Sequence, residues 1–348
     1  MSAPLNVALV GYGFVGTVFH APLIAATDGL TLHSIVSSRP EAVHADWPGV
    51  RVAADLTSVL ADPAVDLVVI ATPNTLHAPQ AHAALDAGKH VVVDKPFTVS
   101  LAEAVAVLAH GERVDRVVSV FQNRRWDSDF LTLRALIADG AVGEVTQFDS
   151  HFDRFRPEVR DRWRERPGPG TGLWFDLGPH LLDQATQLFG APLAITADIA
   201  IQRDGSRTDD WFHVVLRHAR LRVILHASAM IAAGEPRFAV HGTQGSIVTQ
   251  GLDSQEDALK AGRTPGDLGW GAPLSPVLVT SASADGATHT RAVPSEPGDY
   301  RRFYAAVRDA IRGTAANPVS AADASLVMHL LELGRESSDE RREVMLPA

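Results

Sequence analysis

Three groups of residues in this sequence have types and spacings that can do chemistry. Lys95 follows the apolar run His90–Val93 within Asp94-Lys95-Pro96. An ammonium held at the end of a buried strand can hydrogen-bond a substrate hydroxyl and stabilise an alkoxide. The alternative is a surface lysine near a strand end. Asp176 and His180 lie four apart in Trp174-Phe175-Asp176-Leu177-Gly178-Pro179-His180. Inside a helix they share a face. Otherwise Asp176 is the N-cap and Pro179 falls in the tolerated first turn. Either arrangement keeps carboxylate and imidazole close. A helix N-terminus disfavours imidazolium, which leaves His180 able to accept a proton. The nearby carboxylate pushes the other way and can orient the ring. The structural alternative is a capping aspartate followed by a core histidine. Asp183, one turn on, is an outer partner or a helix-surface acid.

The third group is Gly11-Tyr12-Gly13-Phe14-Val15-Gly16, a G-x-G-x-x-G string. It follows the strand pattern Asn6–Val10 and opens a helical one, the context that makes it informative. Gly11 permits the tight turn, and Gly13 allows backbone approach to a pyrophosphate. Gly16 allows close helix–strand packing. Phe14 and Val15 complete the loop, and the helix N-terminus supplies N–H groups. Roughly 20 residues on, where an NAD site places Asp or Glu, stand Ser37-Ser38-Arg39. Hydroxyls and a guanidinium suit a 2′-phosphate. The expected cofactor is therefore NADP, unless Arg39 belongs to a solvated loop. Thr72-Pro73-Asn74 with His77 ends another strand, and either lines the same crevice or forms only a turn and helix cap.

Composition excludes other chemistry. The 348 residues are 46% hydrophobic and 21% charged, which excludes a disordered or collagenous chain. A net charge of −10 argues against a general nucleic-acid binder. The absence of cysteine removes thiol nucleophiles, disulfides and cysteine-ligated metals. The 15 histidines show no H-E-x-x-H, and no metal is expected. No apolar run reaches the ~20 residues of a membrane span, and the first residues carry no basic leader region. A cytoplasmic enzyme fits.

These residues need a scaffold. Strand patterns at Asn6–Val10, Leu30–Ser37, Leu67–Ile70, His90–Val93 and Val117–Phe121 alternate with helical ones at Val15–Ala26, Thr75–Ala87 and Ser100–Arg113. That order predicts a doubly wound parallel α/β sheet with right-handed crossovers over residues 1–122. From 123 to 348 the pattern changes. Helices are expected at Phe130–Ala138 and Leu177–Phe189. Consecutive strands are expected at Leu193–Gln202, Trp211–Arg217, Leu221–Ser228, Phe238–His241 and Ser246–Gln250. This half reads as an α+β domain with a mainly antiparallel open sheet. Gly262–Gly298 reads mostly as loop. Helices near Tyr300–Arg312 and Ala321–Arg335 close the chain and can pack back on the first domain.

The glycine fingerprint, Thr72-Pro73-Asn74, Asp94-Lys95-Pro96, Asp176…His180 and Val240-His241-Gly242-Thr243-Gln244-Gly245-Ser246 occur in one order. In that order the chain resembles the glucose–fructose oxidoreductase / inositol dehydrogenase / rhizopine-catabolism family over nearly its whole length. Asp94 departs from the family's Glu-Lys-Pro. The resemblance implies that Lys95 and Asp176 position a substrate hydroxyl and that His180 is the general acid/base. It also implies a cis Lys95–Pro96 bond and a homodimer or homotetramer. Asn123-Arg124-Arg125-Trp126-Asp127, Arg154-Phe155-Arg156 with Arg162-Trp163, and Gln255-Glu256-Asp257-Ala258-Leu259 resemble the NADP-dependent scyllo-inositol dehydrogenase branch. A polyhydroxylated ring needs many donors around an apolar face. Asn123, Arg124, Arg125, Arg154, Arg156, Trp163 and Trp174 are the candidates to supply them. Salt-bridged arginines and core tryptophans are the structural alternatives. The implied activity is hydride transfer between NADP and a polyol or sugar. An aldose 1-dehydrogenase or sugar-ketone reductase is the near alternative. A silent dinucleotide-sensing regulator is the distant one, against which the retention of Lys95, Asp176 and His180 argues.

Overall fold

A computed structural model describes residues 3–283 and 285–347. The chain divides into two compact units, Met1–Asn123 with Gln255–Trp270 and Asp299–Ser325, and Arg124–Ser254 with Gly271–Gly298 and Leu326–Ala348. Among the described residues, no helix is long and apolar enough to cross a membrane.

The first unit is built on six parallel strands. Their spatial order is Arg51–Ala53, Leu30–Val36, Leu5–Val10, Leu67–Ile70, His90–Val93 and Val118–Val120. Leu67–Ile70 is buried at every position because helices cover both faces of such a sheet. Between Leu5–Val10 and Leu67–Ile70 the strand order reverses direction, which opens a crevice at the carboxyl ends. The expected helix Val15–Ala26 starts instead as a π-helical turn, Gly16–His20, and continues as Ala21–Ala25. Leu101–Arg113 is capped by Ser100, whose Oγ accepts from the Glu103 N–H at 3.2 Å. Glu103 reaches back to the Val99 N–H at 3.3 Å. This is the capping-box logic with the return bond one residue earlier.

His90 at the head of its strand couples this unit to pH. Its Nδ1 accepts from the Val117 N–H at 3.0 Å, which requires a neutral ring. Burial, reinforced by the Arg116 charge, pushes its pKa down to about 4. An unfolded chain takes up this proton near pH 6.5. The contribution is therefore complete above about pH 6.5 and lost as pH falls towards 4. Thermal unfolding of the wild type should drop more steeply across that window than that of His90→Asn. Parallel curves would remove His90 from the acid response.

The second unit carries a nine-stranded sheet. Its order is Thr288–Val293, Val277–Ala282, Gly245–Thr249, Phe238–Gly242, Val145–His151, Arg222–Ser228, Trp211–Arg217, Ala194–Ala200 and Val344–Met345. All neighbours are antiparallel except Val145–His151 with Arg222–Ser228. The sequence reading missed Val145–His151 and took the hairpin Val277–Ala282/Thr288–Val293 for loop. The first alternates buried Phe148 and Ser150 with polar Gln147, Asp149 and His151. The second is an edge hairpin whose outer strand is largely exposed.

The long helix Leu173–Phe189 packs on Trp211–Arg217 and Arg222–Ser228. It begins four residues before the expected Leu177, so Pro179 sits inside it and not in its first turn. Asp209 explains the earlier start. Its backbone carbonyl accepts from the Leu173 N–H at 2.8 Å, and its Oδ2 accepts from the Trp174 N–H at 2.7 Å. Arg335 Nη2 holds the other oxygen at 2.7 Å. Gly172, the N-cap, has φ +90°, and a Cβ there would lie 2.4 Å from Asp209 Oδ1. Only glycine lets the carboxylate cap the helix so closely.

Candidate active site

In the first unit the predicted cofactor residues gather at the carboxyl ends of neighbouring strands. Gly11 has φ +103°, and a Cβ there would lie 2.5 Å from the Ala71 carbonyl. A Cβ on Gly16 would lie 2.2 Å from the Gly11 carbonyl, whereas one on Gly13 would meet nothing within 4 Å. Two glycines are therefore needed for packing, and the middle one faces open space where a pyrophosphate can approach. Phe14 is exposed and meets Phe19 edge-on at 6.2 Å. Val15 precedes the first helical turn. Arg39 folds over this loop, its Nη2 donating to the Tyr12 carbonyl at 2.6 Å and its N–H to Ser37 Oγ at 3.0 Å. Ser38 is exposed beside them. These residues fit a dinucleotide.

Thr72 and Asn74 follow Leu67–Ile70. Thr72 Oγ1 donates to Gln80 at 2.8 Å, Pro73 is exposed and Asn74 is buried. His77 is buried as a brace. Its Nε2 lies 2.9 Å from the Thr72 carbonyl and its Nδ1 2.9 Å from the Pro96 carbonyl. Burial pushes its pKa down. Its ring nitrogens face backbone, so His77 ties two strand-end segments together.

Lys95 is half-buried directly after His90–Val93, and the Lys95–Pro96 bond is cis. Behind it Asp94 is buried and faces His20 Nε2 at 3.8 Å, an ion-pair distance beyond hydrogen bonding. Burial alone would push the Asp94 carboxyl up. The His20 imidazole, with the nearby Lys95 and His77, outweighs that and holds it below the usual range. His20 Nδ1 meets the Tyr304 hydroxyl at 2.5 Å. Nothing in the local sequence around His20 marks it as Asp94's partner.

In the second unit Asp176 and His180 both lie within Leu173–Phe189, which settles the alternative left open above. Gly172, not Asp176, is the N-cap. One helical turn apart, the two share a face. His180 is buried. Asp176 lines an open cleft with Arg154, Arg156, Arg162, Arg164 and Arg203. Arg154 Nη1 and Arg164 Nε stand 3.9 and 3.7 Å from its two oxygens. Part of the guanidinium charge is offset from within: Glu165 pairs with Arg162 at 2.7 Å and Arg203 at 3.2 Å, and Asp210 pairs with Arg203 at 2.9 Å. The cleft therefore presents donors and acceptors together, as a neutral hydroxylated ligand requires. Arg164, Glu165, Arg203 and Asp210 were not predicted as part of this site.

Other candidates fall elsewhere. Asn123 is buried at the end of the first unit's main segment. Arg124 is buried beside Asp127 at 3.3 Å, its guanidinium over the Phe152 ring, and its carbonyl accepts from Gln184 at 2.9 Å. Arg125 makes a bidentate pair with Asp183, at 2.8 and 2.6 Å, both side chains buried. Trp163 is half-buried under the Arg164 guanidinium at 4.5 Å. Trp174 needs correction as a substrate-binding residue. It is fully buried, its ring edge-on to Phe212 at 5.0 Å and its Nε1 donating to the Leu331 carbonyl at 3.0 Å. Two residues before Asp176, it faces the opposite side of the helix. Gln255, from the third subfamily segment, is also buried, accepting from Trp270 Nε1 and the Tyr300 N–H.

Comparison with known proteins gives the family. An oxidoreductase family with an NAD-binding Rossmann fold matches residues 5–122, and the C-terminal alpha/beta domain of the same family matches 134–346. The chain belongs to the Gfo/Idh/MocA oxidoreductases. It is 50% identical to the uncharacterized oxidoreductase YdgJ of Escherichia coli, covering 99% of this chain and 100% of that one. It is 39% identical to the scyllo-inositol 2-dehydrogenase (NADP(+)) IolW of Bacillus subtilis, covering 98% and 96%. A solved oxidoreductase structure from Yersinia pestis superposes with a TM-score of 0.96 at 48% identity, covering 100% and 99%. This oxidoreductase thus carries a nicotinamide-binding domain, and the residues at its strand ends fit that cofactor.

Proposed function

We propose that this oxidoreductase transfers a hydride between NADP(H) and a secondary hydroxyl or ketone of a cyclic polyol or sugar, scyllo-inositol first among them. The observation that carries the reading is Asp176 and His180 on one helix face, with Asp176 opening onto an arginine-rich cleft that also holds carboxylates. The printed activity of the Bacillus relative supports the polyol. The nicotinamide, when bound, accepts or returns the hydride at its C4. The protein's part is proton and charge management. His180 takes the proton of the reacting hydroxyl. Lys95 hydrogen-bonds the same oxygen and stabilises its developing negative charge. Asp176, held by Arg154 and Arg164, accepts from the substrate hydroxyl and fixes its orientation.

The substrate reading is tested by NADPH formation across inositol isomers and aldoses. Turnover with scyllo-inositol is the expected result. Turnover confined to aldoses would keep the chemistry and replace the substrate by the aldose 1-dehydrogenase reading. The cofactor reading rests on Arg39, already fixed over the glycine loop. Arg39→Ala should lower the NADP⁺-over-NAD⁺ ratio of kcat/KM by about 10- to 100-fold, since hydrogen bonds to charged groups are worth ~1.5–3 kcal/mol. An unchanged ratio would contradict the 2′-phosphate role.

A further inference from the structure

Outside this site, the second sheet assembles a cluster that sequence spacing alone does not reveal. Register pairs His151 with His226, and His226 with His213, across three adjacent strands. Residues paired in register project from one face. Phe148, Val214 and Leu225, on the alternate positions, fill the core on the other. Asp153, two residues beyond His151, completes the group. Its Oδ2 lies 3.5 Å from His151 Nδ1 and its Oδ1 3.5 Å from His226 Nε2. The Asp153 side chain is 4% exposed. Neither of its oxygens has a hydrogen-bond partner among the described residues, and neither does the buried His151 Nδ1. A buried carboxylate without hydrogen bonds is costly unless a cation compensates it.

We propose that His151, Asp153 and His226 form a binding site for one divalent cation of the zinc class. Their ligand atoms all lie within 4.8 Å of one another. A tetrahedral ion with N and O ligands at roughly 2.0–2.2 Å spaces those ligands about 3.4 Å apart, close to the two separations found. Two imidazoles and one carboxylate favour a borderline ion such as Zn²⁺, Co²⁺ or Ni²⁺ over Mg²⁺ or Ca²⁺, which prefer all-oxygen sets. Three protein ligands leave a position for water, with His213 alongside, its ring 5.7 Å from that of His226. The site uses none of the residues assigned to hydride transfer. Its ion would clamp neighbouring strands of the sheet. The competing account is that protonated histidines pair with Asp153, which would not select a transition metal.

The test uses the full chain without an affinity tag, stripped with chelator and titrated with Co²⁺ and Zn²⁺. The expected result is one equivalent of Co²⁺ per chain, with visible absorption typical of low-coordinate cobalt, displaced by one equivalent of Zn²⁺. Asp153→Asn, close to isosteric, should weaken binding by at least the roughly 10- to 100-fold that loss of an outer partner costs. His151→Asn, at the more exposed ligand, should do the same, with circular dichroism reporting that both variants are folded. Absence of stoichiometric cobalt binding, or binding unchanged in both variants, would overturn the proposal.

Discussion

Lys95→Ala should lower kcat by about 100- to 1,000-fold, the range for removing one donor to a developing oxyanion. NADP⁺ affinity should stay within a few-fold, because the phosphate contacts are proposed for the glycine loop and Arg39. The position makes the effect specific. Lys95 stands directly after a buried parallel strand, with Asp94 fixed behind it against His20. Its ammonium is a point charge delivered to one place. Lys95→Arg keeps the charge but spreads it over a planar fork and should not restore the rate. Steady-state kinetics with parallel cofactor titration separate the two quantities. A Lys95→Ala enzyme within 10-fold of wild type would remove Lys95 from the chemistry.

Asp183→Ala should destabilise the chain by about 3–5 kcal/mol, because it removes the carboxylate of a buried bidentate ion pair with Arg125. At roughly 2–4 °C per kcal/mol for a unit of this size, the expected fall in Tm is on the order of 6–20 °C. Replacing both partners together, Arg125→Met with Asp183→Leu, should recover a large part of that loss, since apolar packing can substitute for a buried pair. The result also decides what Arg125 does. A substrate ligand would show its loss in KM at unchanged stability, whereas a structural arginine shows it in Tm. Denaturation of the single and double variants measures this directly. An Asp183→Ala chain within ~1 kcal/mol of wild type would contradict the structural role.

The sequence makes the first unit's sheet legible because its strands are buried on both faces, so Leu67–Ile70 and His90–Val93 are uninterrupted apolar runs. The chemistry at their ends is legible for the same reason: once the strands are placed, Gly11–Gly16 and Lys95 follow. The second unit resists. Val145–His151 lies at the middle of its sheet, yet most of its positions are polar. The true start of Leu173–Phe189 depends on Asp209, more than thirty residues downstream, and no local signal announces it. Without that start Pro179 looks like a first-turn residue and Trp174 like a neighbour of Asp176. The half turn between it and Asp176 instead sends Trp174 into the core, where Gly178 and Gly334 make room for its ring. The bidentate partner of Arg125 lies 58 residues away and cannot be seen in spacing. The histidine cluster is hidden likewise, since only strand register brings His151 and His226 together.

The central claim is that this chain moves a hydride, and transfer of isotope tests it most directly. Scyllo-inositol deuterated at its ring carbons is supplied with NADP⁺, and the reduced cofactor is examined by mass spectrometry. The account predicts one deuterium in each NADPH formed by the wild type, and label transfer about 100- to 1,000-fold slower in Lys95→Ala. A wild type that binds NADP⁺ yet passes no label from scyllo-inositol or any similarly labelled inositol isomer or aldose would contradict it and favour a dinucleotide-sensing protein.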